Sequence, residues 1–122
     1  MAATEDLPES LDPQPHEHLV WKQRANRTQQ SWRSVGGWLY LTNLRLAFRP
    51  HSFDAALYGE QWWAPLPVIA HVGKEKKSLR AVQGGSLRDR LKITLDNGAE
   101  DLFVVNKLDR LIGNLRAVAS TS

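Results

Sequence analysis

Gly36-Gly37-Trp38-Leu39-Tyr40-Leu41-Thr42-Asn43-Leu44-Arg45-Leu46-Ala47-Phe48-Arg49-Pro50 reads as two strands and the reversal between them. Successive side chains on a strand point to opposite faces, so Leu39 and Leu41 share one face while Trp38 and Tyr40 share the other. Beyond Thr42-Asn43, Leu44, Leu46 and Phe48 alternate with Arg45, Ala47 and Arg49. Both strands are therefore expected to be half-buried. Thr42 and Asn43 are turn formers, Asn because it tolerates positive φ. Pro50 has no N–H to donate and is expected to end the ladder.

Upstream of this hairpin, His18 to Arg24 alternates loosely and predicts a first strand, and the polar run Ala25 to Val35 predicts a loop or an irregular strand. Residues 1–15 carry Glu5, Asp6, Glu9 and Asp12 among Pro8, Pro13 and Pro15, with few large apolar side chains, and predict a disordered acidic, Pro-rich tail. The domain is expected over residues 16–119. Downstream, Gln61 to Ala64 predicts a short strand broken by Pro65-Leu66-Pro67, and Val68, Ile69 and Val72 have β-branched character. Lys74 to Lys77 predicts a turn, Leu79 to Val82 a strand, and Gln83 to Ser86 a loop. Leu91, Ile93 and Leu95 alternate with Arg90, Lys92 and Thr94, Asp96-Asn97-Gly98 supplies residues for a tight turn, and Asp101 to Val105 returns as the partner strand.

At the end of the chain the period changes. Leu108, Leu111, Ile112, Leu115 and Val118 follow helical spacing, with Lys107, Asp109, Arg110, Asn114 and Arg116 on the polar side and Asn106 placed to cap the start. About seven short strands followed by one helix predict a mainly β fold, a strongly bent antiparallel barrel with one open end plugged by the helix.

Gly37-x-Leu39-x-Leu41-Thr42-Asn43-x-Arg45-Leu46-x-Phe48 resembles the opening pattern of GRAM domains, members of the pleckstrin-homology-like superfamily. Weaker pieces of the resemblance are Trp63 with Pro65, the Val68-Ile69-x-x-Val72 strand, Asp96-Asn97-Gly98 with Phe103, and the final helix. It implies a pleckstrin-homology-like barrel that serves as a binding module and not as an enzyme. Most of the matched residues have structural reasons to be there: Leu39, Leu41, Leu46 and Phe48 fill the barrel, and Arg45 can brace a neighbouring strand or loop. Some members of the family bind phosphoinositides through basic residues near the first two strands. Lys22, Arg24, Arg27 and Arg33 fall in that region, whereas the second strand carries Trp38 and Tyr40 where phosphate binders place alternating basic residues.

Charge distribution points the same way as that resemblance. The chain has 122 residues and a formal net charge of +3, but Lys22 to Arg49 contains six basic residues and no acid. A basic face attracts anionic partners. Lys22, Arg24, Arg27 and Arg33, helped by Lys74, Lys76 and Lys77, are therefore the candidate contacts to anionic phospholipid or phosphoinositide headgroups. The alternative is a protein partner. Trp62 and Trp63 are neighbours on a predicted strand, so their indoles face opposite ways and one is expected to be exposed, as an interaction surface. Nucleic acid ranks below both, because the basic and aromatic residues match no base-reading motif.

Other chemistries find little support. With no cysteine there is no disulfide, thiolate metal site or thiol nucleophile. His16-Glu17-His18 offers metal donors without further paired ligands nearby. The serines lie in no nucleophile elbow, Gly84-Gly85-Ser86 lacks the lysine and spacing of a phosphate loop, and the acids show no pairing for acid–base work. No cofactor is expected. No stretch approaches the ~20 apolar residues needed to cross a bilayer, and the N-terminus has no secretory pattern. The expectation is a cytoplasmic protein, peripheral at the inner membrane face.

Overall fold

The computed structural model describes residues 7–30, 33–51, 61–76 and 89–119. Seven antiparallel strands form a single sheet in the order β4-β3-β2-β1-β7-β6-β5. They are β1 (Leu19–Gln30), β2 (Arg33–Thr42), β3 (Arg45–Pro50), β4 (Trp62–Pro65), β5 (Ile69–Glu75), β6 (Arg90–Leu95) and β7 (Glu100–Val105), followed by the helix α1 (Leu108–Ala119). A one-turn 3-10 helix joins β4 to β5 at Leu66–Val68. The expected strand at Leu79–Val82 and loop at Gln83–Ser86 lie outside the described residues.

The sheet bends until its two halves share one core. Phe103 of β7 lies with its ring centroid 5.9 Å from Phe48 of β3 and 5.3 Å from Trp62 of β4, so the two halves of the strand order meet across the interior. Leu39, Leu41, Leu46, Phe48, Leu91, Ile93 and Phe103 are fully buried there. Leu111, Ile112 and Leu115 of α1 complete the cluster, and α1 packs against β5 and β6. The helical spacing read from the sequence is thus the stripe that meets the core. Lys107, and not Asn106, stands at the helix start: its carbonyl accepts the Leu111 N–H at 3.0 Å, and its φ is +54°.

The hairpin pairs Leu41 with Leu46, Leu39 with Phe48 and Gly37 with Pro50, as its alternation requires. Pro50 does not close the ladder, because His51 N–H continues it to the Gly36 carbonyl at 3.0 Å. Asp96-Asn97-Gly98 forms the second reversal, with Gly98 at φ +89° and its N–H on the Leu95 carbonyl at 2.9 Å.

Two local expectations need correction. Of the loop or irregular strand expected from Ala25, the loop is corrected: β1 runs on to Gln30 and β2 begins at Arg33, with a register shift between Thr28 and Gln30. Residues Ala25 to Thr28 are paired on both sides, with β2 and with β7, and that ladder outweighs a polar composition. Lys74 and Glu75 likewise continue β5, paired with Leu91 and Arg90.

A third correction concerns the expected tail. From Leu7 onward the segment is a strap packed on the outer face of β2 and β3, turning through a 3-10 helix at Glu9–Leu11. Leu7 and Leu11 are buried against Tyr40 and Ala47, with Leu19 and Trp38 at the margin of this second cluster. That explains why β3 is buried on both faces despite its alternation. Its two leucines are spaced to reach one surface that the hairpin itself leaves apolar.

Candidate functional site

The Thr42-Asn43 reversal is the anchor of the strap. Thr42 Oγ1 accepts the N–H groups of Leu44 and Arg45, each at 3.0 Å, and donates to Glu17 Oε2 at 2.6 Å. Asn43 uses its amide and not a positive φ: Oδ1 accepts His18 N–H at 2.8 Å and Nδ2 donates to the His16 carbonyl at 3.1 Å. Arg45 reaches back across the sheet, donating through Nε to Glu17 Oε2 at 2.8 Å, through Nη2 to Glu17 Oε1 at 3.1 Å and to the Leu11 carbonyl. Burial pushes the Glu17 carboxyl up, but hydrogen bonds from Arg45, Thr42 and the Gln14 N–H, with the Arg45 charge, outweigh it and hold the group below the ordinary carboxylate range. His16 and His18 point elsewhere and are exposed, so the His-Glu-His triplet is divided by this ion pair.

The predicted basic residues separate into distinct environments. Lys22 and Arg24 lie on the outer face of β1, where Arg24 pairs with Trp38 of β2. Lys22 Nζ sits 5.2 Å and the Arg24 guanidinium 5.4 Å from the centroid of the Trp38 ring, and His51 meets the same ring edge-on at 6.3 Å. Among the described residues neither cation has a carboxylate partner within ion-pair distance. Arg49, beside Trp38 in the ladder, is tied to Ser10 Oγ of the strap at 2.9 Å.

Arg27 does not join them. It lies at an odd offset along the strand from Arg24, which turns it inward, where it pairs with Asp101 at 3.0 Å and stacks 5.9 Å from Trp62. Lys74, on the far half of the sheet, is held by Asp109 at 2.9 Å; the hydrogen bond and charge raise the lysine pKa and lower that of the aspartate. Lys76 is exposed beside the same aspartate. The Arg33 side chain and Lys77 lie outside the described residues. Of the seven cations that the sequence groups, five are described, and among these the structure brings Lys22 and Arg24 onto one aromatic face.

Trp62 and Trp63 divide as alternation requires. Trp62 packs into the core against Phe103, while Trp63 is 54% exposed on β4, an edge strand. Its ring lies 5.3 Å from the Arg45 guanidinium and walls a groove of about 290 Å³ between the strap and β4, with Leu11, Asp12, Gln14 and Pro65. Sequence reading missed this groove because one of its walls is the strap. It also missed Lys107 and Arg110, which line a second groove with Lys22.

Neither a protein-family model nor a curated protein matches the sequence. Solved structures do. The C-terminal domain of an unknown protein from Leishmania infantum superposes with a TM-score of 0.65 at 11% identity, covering 86% of each chain. The Vps36 N-terminal PH domain superposes with a TM-score of 0.61 at 11% identity, covering 86% of this chain and 80% of that one. The chain has a pleckstrin-homology-like fold. At this identity the likeness extends to the fold alone, which agrees with the bent sheet and single terminal helix expected from periodicity. In this pleckstrin-homology-like domain no helix among the described residues is long and apolar enough to cross a membrane.

Proposed function

We propose that the protein is a GRAM-like, non-catalytic binding module that attaches reversibly to anionic membrane lipid, cytoplasmic and peripheral. The observation that carries the reading is the Lys22–Trp38–Arg24 cluster, two cations without acidic partners among the described residues against a partly buried indole. An indole suits the headgroup layer, with its apolar body and polar N–H, and each cation near an anionic leaflet contributes about 1 kcal/mol. Two such cations and one indole give weak, salt-sensitive adsorption. Arg27 and Lys74 are excluded from the contact because Asp101 and Asp109 already neutralise them.

Co-sedimentation with phosphatidylcholine vesicles and with vesicles containing phosphatidylserine, across a salt series, tests this. Binding should require the anionic lipid, weaken with salt, be lost in Lys22→Gln/Arg24→Gln and persist in Lys74→Gln. No sedimentation with phosphatidylserine vesicles at low salt would abandon the membrane reading.

Exposed Trp63 beside the strap groove favours a second reading, a protein-interaction module whose partner packs on β4. In that case the protein binds neither kind of vesicle, and Trp63→Ala abolishes partner capture.

A further inference from the structure

On the outer face of the sheet Arg24 of β1, Trp38 of β2 and Arg49 of β3 stand in one row across the ladders, and Lys22, Tyr40 and Ala47 form the next. The strap covers the second row, with Leu7 and Leu11 seated on Tyr40 and Ala47. Ser10 reaches from the strap to the first row. Its Oγ accepts the Arg49 Nε–H at 2.9 Å, and its carbonyl accepts the Gln61 side-chain amide at 3.0 Å. The tight 3-10 turn at Glu9–Leu11 turns Leu11 into the apolar cluster and leaves Ser10 exposed.

That setting distinguishes Ser10 from the other described hydroxyls. Ser34 is fixed in the β2 ladder opposite Thr28, and Thr42 is buried in its contact with Glu17. Ser10 pairs with no strand, and it sits on the element that can lift from the surface while the sheet stays intact. A lifted strap offers the extended segment that a protein kinase reads. Its sequence, Glu5-Asp6-Leu7-Pro8-Glu9-Ser10-Leu11-Asp12, sets four acids around the hydroxyl, complementary to a kinase with a basic substrate groove. A receptor for the product is already in place. Arg49 has no carboxylate within ion-pair distance among the described residues, and its planar fork carries further donors beside the Nε that Ser10 uses.

We propose that Ser10 is a phosphorylation site for an acid-directed protein kinase, and that its phosphate latches the strap onto Arg49 and lowers adsorption of the Lys22–Trp38–Arg24 face to anionic lipid. The kinase transfers the γ-phosphoryl group of magnesium-bound ATP. A bond forms between Ser10 Oγ and the phosphorus, the bond from that phosphorus to the ADP oxygen breaks, and the hydroxyl proton passes to a base of the kinase. The group brings a charge of about −1.5 to −2 at pH 7 and replaces a neutral acceptor with charge-assisted bonds to the Arg49 fork. Glu9 and Asp12 repel it, but both are exposed and screened by water, whereas Arg49 is in direct contact. Neighbouring strands lie about 4.8 Å apart, so Arg24 is about 10 Å from Arg49 across Trp38, comparable to the screening length at 0.1 M salt. The new charge therefore offsets the cations that adsorption uses. The lipid half of the proposal rests on the membrane reading; the latch does not.

The test uses the full chain. It is incubated with an acid-directed serine kinase and magnesium ATP, beside Ser10→Ala, and phosphate is mapped by mass spectrometry. Phosphate on Ser10 is expected, and a chain left unmodified there overturns the site. A chain with genetically encoded phosphoserine at position 10 is then compared with the unmodified chain, each with and without Arg49→Gln, and melting temperatures check that all are folded. Limited proteolysis between residues 7 and 18 should slow ~10-fold with the phosphate, and Arg49→Gln should erase that protection. Faster or unchanged cleavage, or protection that survives Arg49→Gln, overturns the latch. Sedimentation with phosphatidylserine vesicles should fall at least ~5-fold on phosphorylation, and unchanged sedimentation overturns the lipid half. If the unmodified chain binds no phosphatidylserine vesicle while the phosphate still protects the strap through Arg49, the membrane reading and the lipid half fall together and the latch stands.

Discussion

At Gly37 one methyl group decides whether β2 and β3 can approach. A Cβ there would run into the Arg49 carbonyl oxygen and come within 2.7 Å of Pro50 Cα and 2.9 Å of the Phe48 ring. Two of those neighbours are backbone and cannot swing aside. Gly37→Ala should therefore destabilise the domain by about 3 kcal/mol, read as a lowered denaturant midpoint, whereas Gly113→Ala, whose Cβ would meet nothing within 4 Å, should stabilise α1 by up to ~1 kcal/mol. The Glu17–Arg45 pair makes a different kind of prediction. Arg45→Met strands a buried carboxylate and should cost about 3–5 kcal/mol by chemical denaturation. Because the Glu17 pKa is lower in the folded protein, its contribution is fully present above the ordinary glutamate value near 4.5 and is lost as pH falls through the lowered native value. An acid titration comparing wild type with Glu17→Gln should show the two stabilities converging toward low pH. A difference that grows on acidification would contradict this sign.

The strap is the element whose stability is separable from the rest. It contributes two buried leucines and the Glu17 contact, and it pairs with no strand. Leu11→Ala removes about 2 kcal/mol at most before local detachment becomes cheaper than a filled but cavity-bearing strap. Limited proteolysis should then cut between residues 7 and 18 while the sheet remains intact, and Trp38 and Tyr40, uncovered on the outer face, should increase dye binding. Cleavage starting in the sheet instead would show that the strap is not an independent unit. The strap was hidden from sequence reading because its composition is that of a disordered tail. Prolines and acids around Leu7 and Leu11 look too sparse to fold, and they are too sparse alone; the apolar surface that they cover is supplied by Tyr40 and Ala47, some thirty positions away.

For the whole molecule the question is which cations face a partner together. Parity sets Lys22 and Arg24 on one face and Arg27 on the other only once Ala25 to Thr28 is strand, which the polar composition of that stretch concealed, and the spacing of α1 puts Arg110 and Asn114 on one side. Neither regularity could bring β1 beside α1, name Asp101 as the partner of Arg27, or show that Asp109 turns to Lys74. Those depend on closure of the sheet, where β7 pairs with β1 and the side chains of Arg27 and Asp101 meet from 74 positions apart. Local rules do decide a great deal here: the hairpin at Thr42-Asn43, the Asp96-Asn97-Gly98 reversal, the apolar stripe of α1 and the opposite facing of Trp62 and Trp63 all follow from backbone sterics and side-chain period, which act within a few residues. Tertiary structure alone decided that Leu7 to Glu17 is ordered, that Trp63 walls a groove and that a cationic seam opens between β1 and α1, because burial and charge compensation depend on the neighbours that folding brings together from distant parts of the chain.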